Sequence, residues 1–255
     1  MTVAAVAVLN LTLGLVYTSY GVMTAVDLKR GWRTMGFSHF GAAWIAMAFT
    51  CGPHHFEHGL HVALAGRAGG PLDAAAVIIG LPAGAIWFFL RVEVFQGGRG
   101  DRFIPGTPAW IRALPAASVV YAVAIVGAFG WVLAGSTQQF GPRITPNLLL
   151  LAVYCLIGYY LLRTQLANRV PDGGWSLSGV ALTIVFPTCA LMHTAYAIYA
   201  TSGRYDVEWH GLVIDWLSVP AAIYFVWVVR SLYLGAFSDW NRPTAGIARE
   251  PALVQ

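Results

Sequence analysis

The chain has 255 residues, of which 58% are hydrophobic and only 10% charged, against about 25% charged in an ordinary soluble domain. A mean hydropathy of +0.65 excludes intrinsic disorder, and three cysteines in a chain of this length exclude a disulfide-stapled miniprotein. The net charge of +4 does not call for nucleic acid, and no such partner is expected, because basic residues in a polytopic membrane protein first report orientation.

A helix needs about 20 mostly apolar residues to cross the hydrocarbon. Seven stretches meet that need. The first covers residues 3–26 and is ended by Asp27, Lys29 and Arg30. No basic residue precedes it, so it reads as a retained helix and not as a cleaved signal peptide. The second begins near Phe37 and reaches Cys51, and the others cover residues 72–95, 116–133, 146–162, 177–200 and 211–237. The expected fold is therefore an all-α integral membrane protein. Residues 1–240 form one seven-transmembrane-helix bundle, and residues 241–255 form a polar cytoplasmic tail.

The charges orient this bundle. With an outside start, twelve basic residues fall inside: Lys29, Arg30, Arg33, Arg91, Arg99, Arg102, Arg112, Arg163, Arg169, Arg230, Arg242 and Arg249. Only Arg67, Arg143 and Arg204 fall outside. The bias predicts an N-terminus outside and a C-terminus inside, as in a bacterial-type plasma membrane. Trp32, Trp110, Trp175, Trp209 and Trp240 sit near the predicted helix ends, where an aromatic belt belongs. The longest inner connection, residues 91–112, contains Gly-Gly-Arg-Gly but no phosphate-loop lysine, so it reads as a flexible turn beside anionic lipid, with Arg91 pairing Glu93.

The histidines carry the chemical information. Four of seven lie in Cys51-Gly-Pro-His-His-Phe-Glu-His-Gly-Leu-His61. Pro53 can open a helical turn, and on such a helix His54, His58 and His61 share one face, bordered by Glu57, while His55 points elsewhere. His193 falls in the outer half of the sixth helix and His210 at the outer start of the seventh. Asp73 opens the third helix on the same side, and Asp215 lies about one turn into the seventh. His39, at the inner end of the second helix, reads as structural. Cys155 reads as packing, as do Cys51 and Cys189, although the last two approach the outer half and are alternative ligands.

A polar side chain within a span is costly and faces the bundle interior. Imidazole is a common ligand of transition metals, and carboxylates complete such sets. The expected site is an interhelical metal centre of His54, His58, His61, His193 and His210 near the extracytoplasmic face. Its metal is zinc, copper or iron, and Glu57, Asp73 and Asp215 are candidate catalytic carboxylates. Non-covalent haem b between two imidazoles is the alternative; the absence of Cys-x-x-Cys-His excludes covalent attachment.

The seven-helix outline resembles the microbial rhodopsins, but the Schiff-base lysine they need in the seventh helix is absent, since the only lysine is Lys29. His58 or His61, Asp73 and His210 also resemble, loosely, the zinc-ligand placement of the ceramidase/adiponectin-receptor/haemolysin III superfamily of membrane hydrolases. That resemblance implies a zinc held by the second and seventh helices, with the third-helix aspartate beside it. The His-x-x-x-His of that family's last helix has no counterpart here. The string His54-His-Phe-Glu-His58 is similar to one histidine box of the membrane di-iron oxygenases, which carry several.

Three function classes follow. The first is a metal-dependent membrane hydrolase or oxidoreductase acting on a lipid or small apolar substrate. The second is a metal or haem carrier, or a redox subunit of a larger membrane complex. The third is an accessory subunit without cofactor, buried among lipids, homo-oligomer copies or other subunits.

Overall fold

The computed structural model of the protein describes residues 3–66, 70–135, 141, 144–201, 209–236 and 239. Its elements in chain order are α1 (Val3–Met35), α2 (His39–Ala65), α3 (Pro71–Phe95), β1 (Phe103–Ile104), α4 (Ala109–Arg112), α5 (Leu114–Gly135), α6 (Thr145–Asn168), β2 (Trp175–Ser176), α7 (Leu177–Thr201) and α8 (Trp209–Tyr233). The described residues are all-α apart from the two-residue strands, as a backbone in hydrocarbon requires, because a helix satisfies its own N–H and C=O groups.

A long helix lies over each of the seven apolar stretches. By length and composition α1, α3, α6, α7 and α8 can each cross a membrane, which marks the chain as a membrane protein. α2 is less apolar because His54, His55, Glu57, His58 and His61 interrupt it. The basic residues Arg67, Arg143, Arg204, Arg242 and Arg249, and the tail 241–255, lie outside the described residues.

α1 packs along α2 and α3, α2 also packs on α8, and α7 lies against α3, α5 and α6. An aromatic core of Tyr20, Trp44, Phe186 and Phe225 ties α1, α2, α7 and α8 together, with ring centroids 5.1 to 6.0 Å apart. The α1–α2 seam is close because glycine lines it. A Cβ on Gly52 would meet the Thr18 side chain and lie 3.0 Å from the Thr18 backbone nitrogen, and one on Gly59 would lie 3.1 Å from that of Leu11.

α2 begins at Ser38, whose hydroxyl accepts from the Gly41 N–H at 2.8 Å. Asp239 reaches the same turn and accepts from the Ser38 hydroxyl and from the N–H groups of His39 and Phe40. First-turn donors with no helical partner are thereby satisfied. At the other end Gly66, with φ of 67°, takes the left-handed closing position that favours glycine.

Four expectations need correction. Pro53 does not open a helix: α2 runs through it unbroken. The ring leaves the Phe49 carbonyl without its helical donor, and packing on α1 and α8 holds the helix across that gap. α1 does not stop at residue 26 but continues to Met35, because Asp27 has a partner in Arg91 of α3 at 2.6 Å. Arg91 therefore does not pair Glu93, which instead bonds Arg102 at 2.6 Å and holds that guanidinium's pKa above its usual value. The 91–112 connection is not a free turn, since β1 pairs antiparallel with β2 and Asp101 accepts from both Ser176 and Ser178.

The seam makes a prediction. Gly52→Ala forces α1 from α2 and is expected to lower stability by about 1–3 kcal/mol. Gly127→Ala, on α5 where no described residue lies within 4 Å of an added Cβ, is expected to be neutral or slightly stabilising. Thermal melts of the two variants in detergent measure the contrast.

Candidate functional site: a buried network of histidines, carboxylates and amides

One half of the bundle holds a set of polar side chains that apolar surroundings would penalise heavily if they were unpaired. His54, His55, His58, Asp73, Asn10, Asn147, His193 and Asp215 are all buried. The network is assembled from six helices.

α2 supplies three of its histidines. His54 Nδ1 faces Asp215 Oδ1 of α8 at 3.1 Å, an ion-pair separation whose angle falls outside a good hydrogen bond. His58 Nε2 lies 2.9 Å from Asp73 Oδ2 of α3, and both side chains are 1% exposed or less. His55 turns toward α1, where its Nδ1 lies 2.9 Å from Asn10 Oδ1 and its ring meets Tyr17 edge-on.

α6 and α7 close the other side. Asn147 Nδ2 donates to Asp215 Oδ2 at 2.9 Å, and His193 Nδ1 lies 2.6 Å from Asn147 Oδ1. His193 and His54 then face each other across α7 and α2 with ring centroids 5.1 Å apart. Tyr196 packs on His54 at 5.3 Å and on His58 at 4.9 Å, so it links the two carboxylate–imidazole pairs. Tyr154 lies 5.4 Å from His193, and its hydroxyl is 3.3 Å from Cys51 Sγ.

The amides assign the imidazole tautomers. Asn147 spends its N–H donor on Asp215 and Asn10 donates to the Val6 carbonyl, so each turns an accepting oxygen to its histidine. His193 and His55 must therefore donate from Nδ1, and in the neutral ring the lone pair sits on Nε2. The Nε2 of His55 has no hydrogen-bond partner among the described residues. His54 also turns its Nδ1 to an oxygen acceptor. An imidazole held at one nitrogen by a carboxylate or amide, with the other nitrogen free to bind, is the usual arrangement of a metal-ligating histidine.

The expected ligand set is redistributed. His54, His58 and His193 lie in the network, joined by His55, which the helical face had assigned elsewhere. His61 and Glu57 lie on another side of α2. They line a groove of about 760 Å³ on the outside of α2, beside Phe56, Leu60 and Leu64. Asp73 and Asp215 are in place as partners of histidines. The side chain of His210 lies outside the described residues. Asn10, Asn147, Tyr154 and Tyr196 were not singled out, although the cost of an amide inside an apolar span was a legible signal for the first two. His39, read from the sequence as structural, has its Nδ1 2.9 Å from the Tyr224 hydroxyl. Among the described residues, no group of three or more His, Cys, Asp or Glu side chains is arranged to hold a metal ion.

Asn147 is the joint of this network, because one amide serves both Asp215 and His193. Asn147→Leu is expected to lower stability by about 3 kcal/mol or more, since it leaves a buried carboxylate short of a donor. Asn147→Gln should recover part of that loss. Unfolding in mixed detergent, followed by circular dichroism, reads the difference.

No family model matches this chain, and neither curated proteins nor solved structures provide a match.

Proposed function

We propose that the network is the active centre of a seven-span membrane metalloenzyme, in which a zinc, copper or iron ion binds between His54 and His193. The observation that carries this reading is the facing His54–His193 pair, with centroids 5.1 Å apart and both rings held at Nδ1. Two imidazoles sharing one tetrahedral ion at about 2.1 Å place their centroids roughly 5 Å apart. The remaining coordination positions belong to water or substrate, as in a catalytic site. There the metal would acidify water or polarise a carbonyl. The His58–Asp73 pair, joined to the centre through Tyr196, is the acid–base group. Asp215 and Asn147 are positioning residues. The seven spans, the N-out orientation and an extracytoplasmic site belong to the same proposal, as does a lipid or small apolar substrate. The haem alternative is less well supported, because Tyr196 packs on both His54 and His58 where a macrocycle would need room.

One observation favours a second reading. With no three-ligand group among the described residues, the His58–Asp73 and His54–Asp215 pairs can serve without metal as the proton-carrying groups of a relay, with Asn147 only orienting Asp215 and His193.

Elemental analysis of the detergent-purified protein separates the two. The proposal expects one transition-metal ion per chain, at least tenfold depleted in His54→Ala and in His193→Ala and retained in His61→Ala. Equal metal content in all four proteins, or none after reloading, overturns the metal centre and leaves the relay.

A further inference from the structure

Cys51 precedes His54 by three residues on α2, and Cys189 precedes His193 by four on α7. Residues so spaced share a helix face. A pair of thiols therefore lies one turn from the facing imidazoles, toward the aromatic core. The two thiols interact with each other from α2 and α7, and neither is part of a disulfide.

Between these helices and α1 lies a space of about 10 Å³, lined by Met47, Cys51 and Cys189 and walled by Tyr20, Trp44 and Phe186. Met47 stands four residues before Cys51 on the same helix and is 2% exposed. The volume is about that of one water-sized sphere, which suits a bare ion and no organic ligand. Three sulfur-bearing side chains border it, and among the described residues that line it there is no carboxylate. Calcium and magnesium take oxygen ligands, and structural zinc takes four ligands. Thiolate and thioether sulfur select copper(I).

The thiolate is the ligand, so each cysteine releases its proton as the ion binds. Two phenols stand ready for the charge. The Tyr154 hydroxyl is 3.3 Å from Cys51 Sγ, and the Tyr17 hydroxyl bonds Cys189. Facing a thiolate, each must donate, and such a bond favours the charged sulfur.

We propose that Met47, Cys51 and Cys189 form a copper(I) site, with Tyr17 and Tyr154 donating to its thiolates. The site does not rest on a metal between His54 and His193 and stands if that reading fails.

The test is anaerobic titration of the full chain in nanodiscs with copper(I) against bicinchoninate, a coloured competitor. Bathocuproine, a copper(I) chelator, strips the site beforehand and keeps it out of the metal count of the imidazole centre. The expected result is one copper(I) per chain in the His54→Ala/His193→Ala double variant, from which the imidazole pair is gone. In that background Cys51→Ala and Cys189→Ala should each weaken binding tenfold or more, and Met47→Leu about threefold. X-ray absorption at the copper edge of the loaded parent should show sulfur neighbours. Nitrogen or oxygen neighbours alone, no copper(I) retained by the histidine double variant, or unchanged affinity in the cysteine variants would overturn the proposal. If a variant no longer melts like the parent, the absorption spectrum of the parent decides.

Discussion

Two carboxylates, Asp73 and Asp215, are buried to 1% exposure or less in a bundle that is otherwise apolar. A lone carboxylate in such surroundings is strongly disfavoured, and the penalty falls only when donors are held at contact distance. That requirement organises half of the molecule. Asp215 needs α2 and α6 beside α8, because His54 and Asn147 are its partners. Asp73 needs α2 beside α3. His193 joins α7 through Asn147. Helices that share a medium as apolar as their own side chains have little hydrophobic reason to associate, so these directional contacts, with close backbone approach at glycine, select the arrangement.

The same contacts give the site its chemistry. Each carboxylate is spent on an imidazole and each asparagine on a second one, so the histidines are oriented before any ligand arrives. Preorganisation of this kind reduces the reorganisation a bound ion or a transferred proton would require. It also separates roles. Asp215 and Asn147 act through the rings they hold, whereas His54 and His193 face each other with ring centroids 5.1 Å apart.

Much of the fold was legible because hydrocarbon imposes a length and a composition on any helix that spans it. The seven apolar stretches needed no knowledge of contacts. Burial of His54, His58, His193, Asp73 and Asp215 was legible for the same reason, since a polar group in that setting must face inward. The pairings were not. Helical spacing groups His54, His58 and His61, but α2 is packed on both α1 and α8, so His55 also finds an interior, with Asn10. His61 falls on the remaining side, at the groove with Glu57. Single asparagines look like scatter until a partner 68 residues away is known. Pro53 is a start signal in isolation, yet neighbouring helices carry α2 through it.

Gly52 and Gly59 stand two turns apart on α2, and both press on α1. They act as a keel: the angle at which α2 meets α1 also sets the direction in which His54, His55 and His58 project. One residue inserted between the two glycines would turn everything beyond it by about 100°, setting one half of the histidine run out of phase with the other. Conservative exchanges of apolar side chains along α2 can be absorbed by local shifts. A change in the length of that segment cannot, so its residue count is held by the site as strictly as any side chain in it.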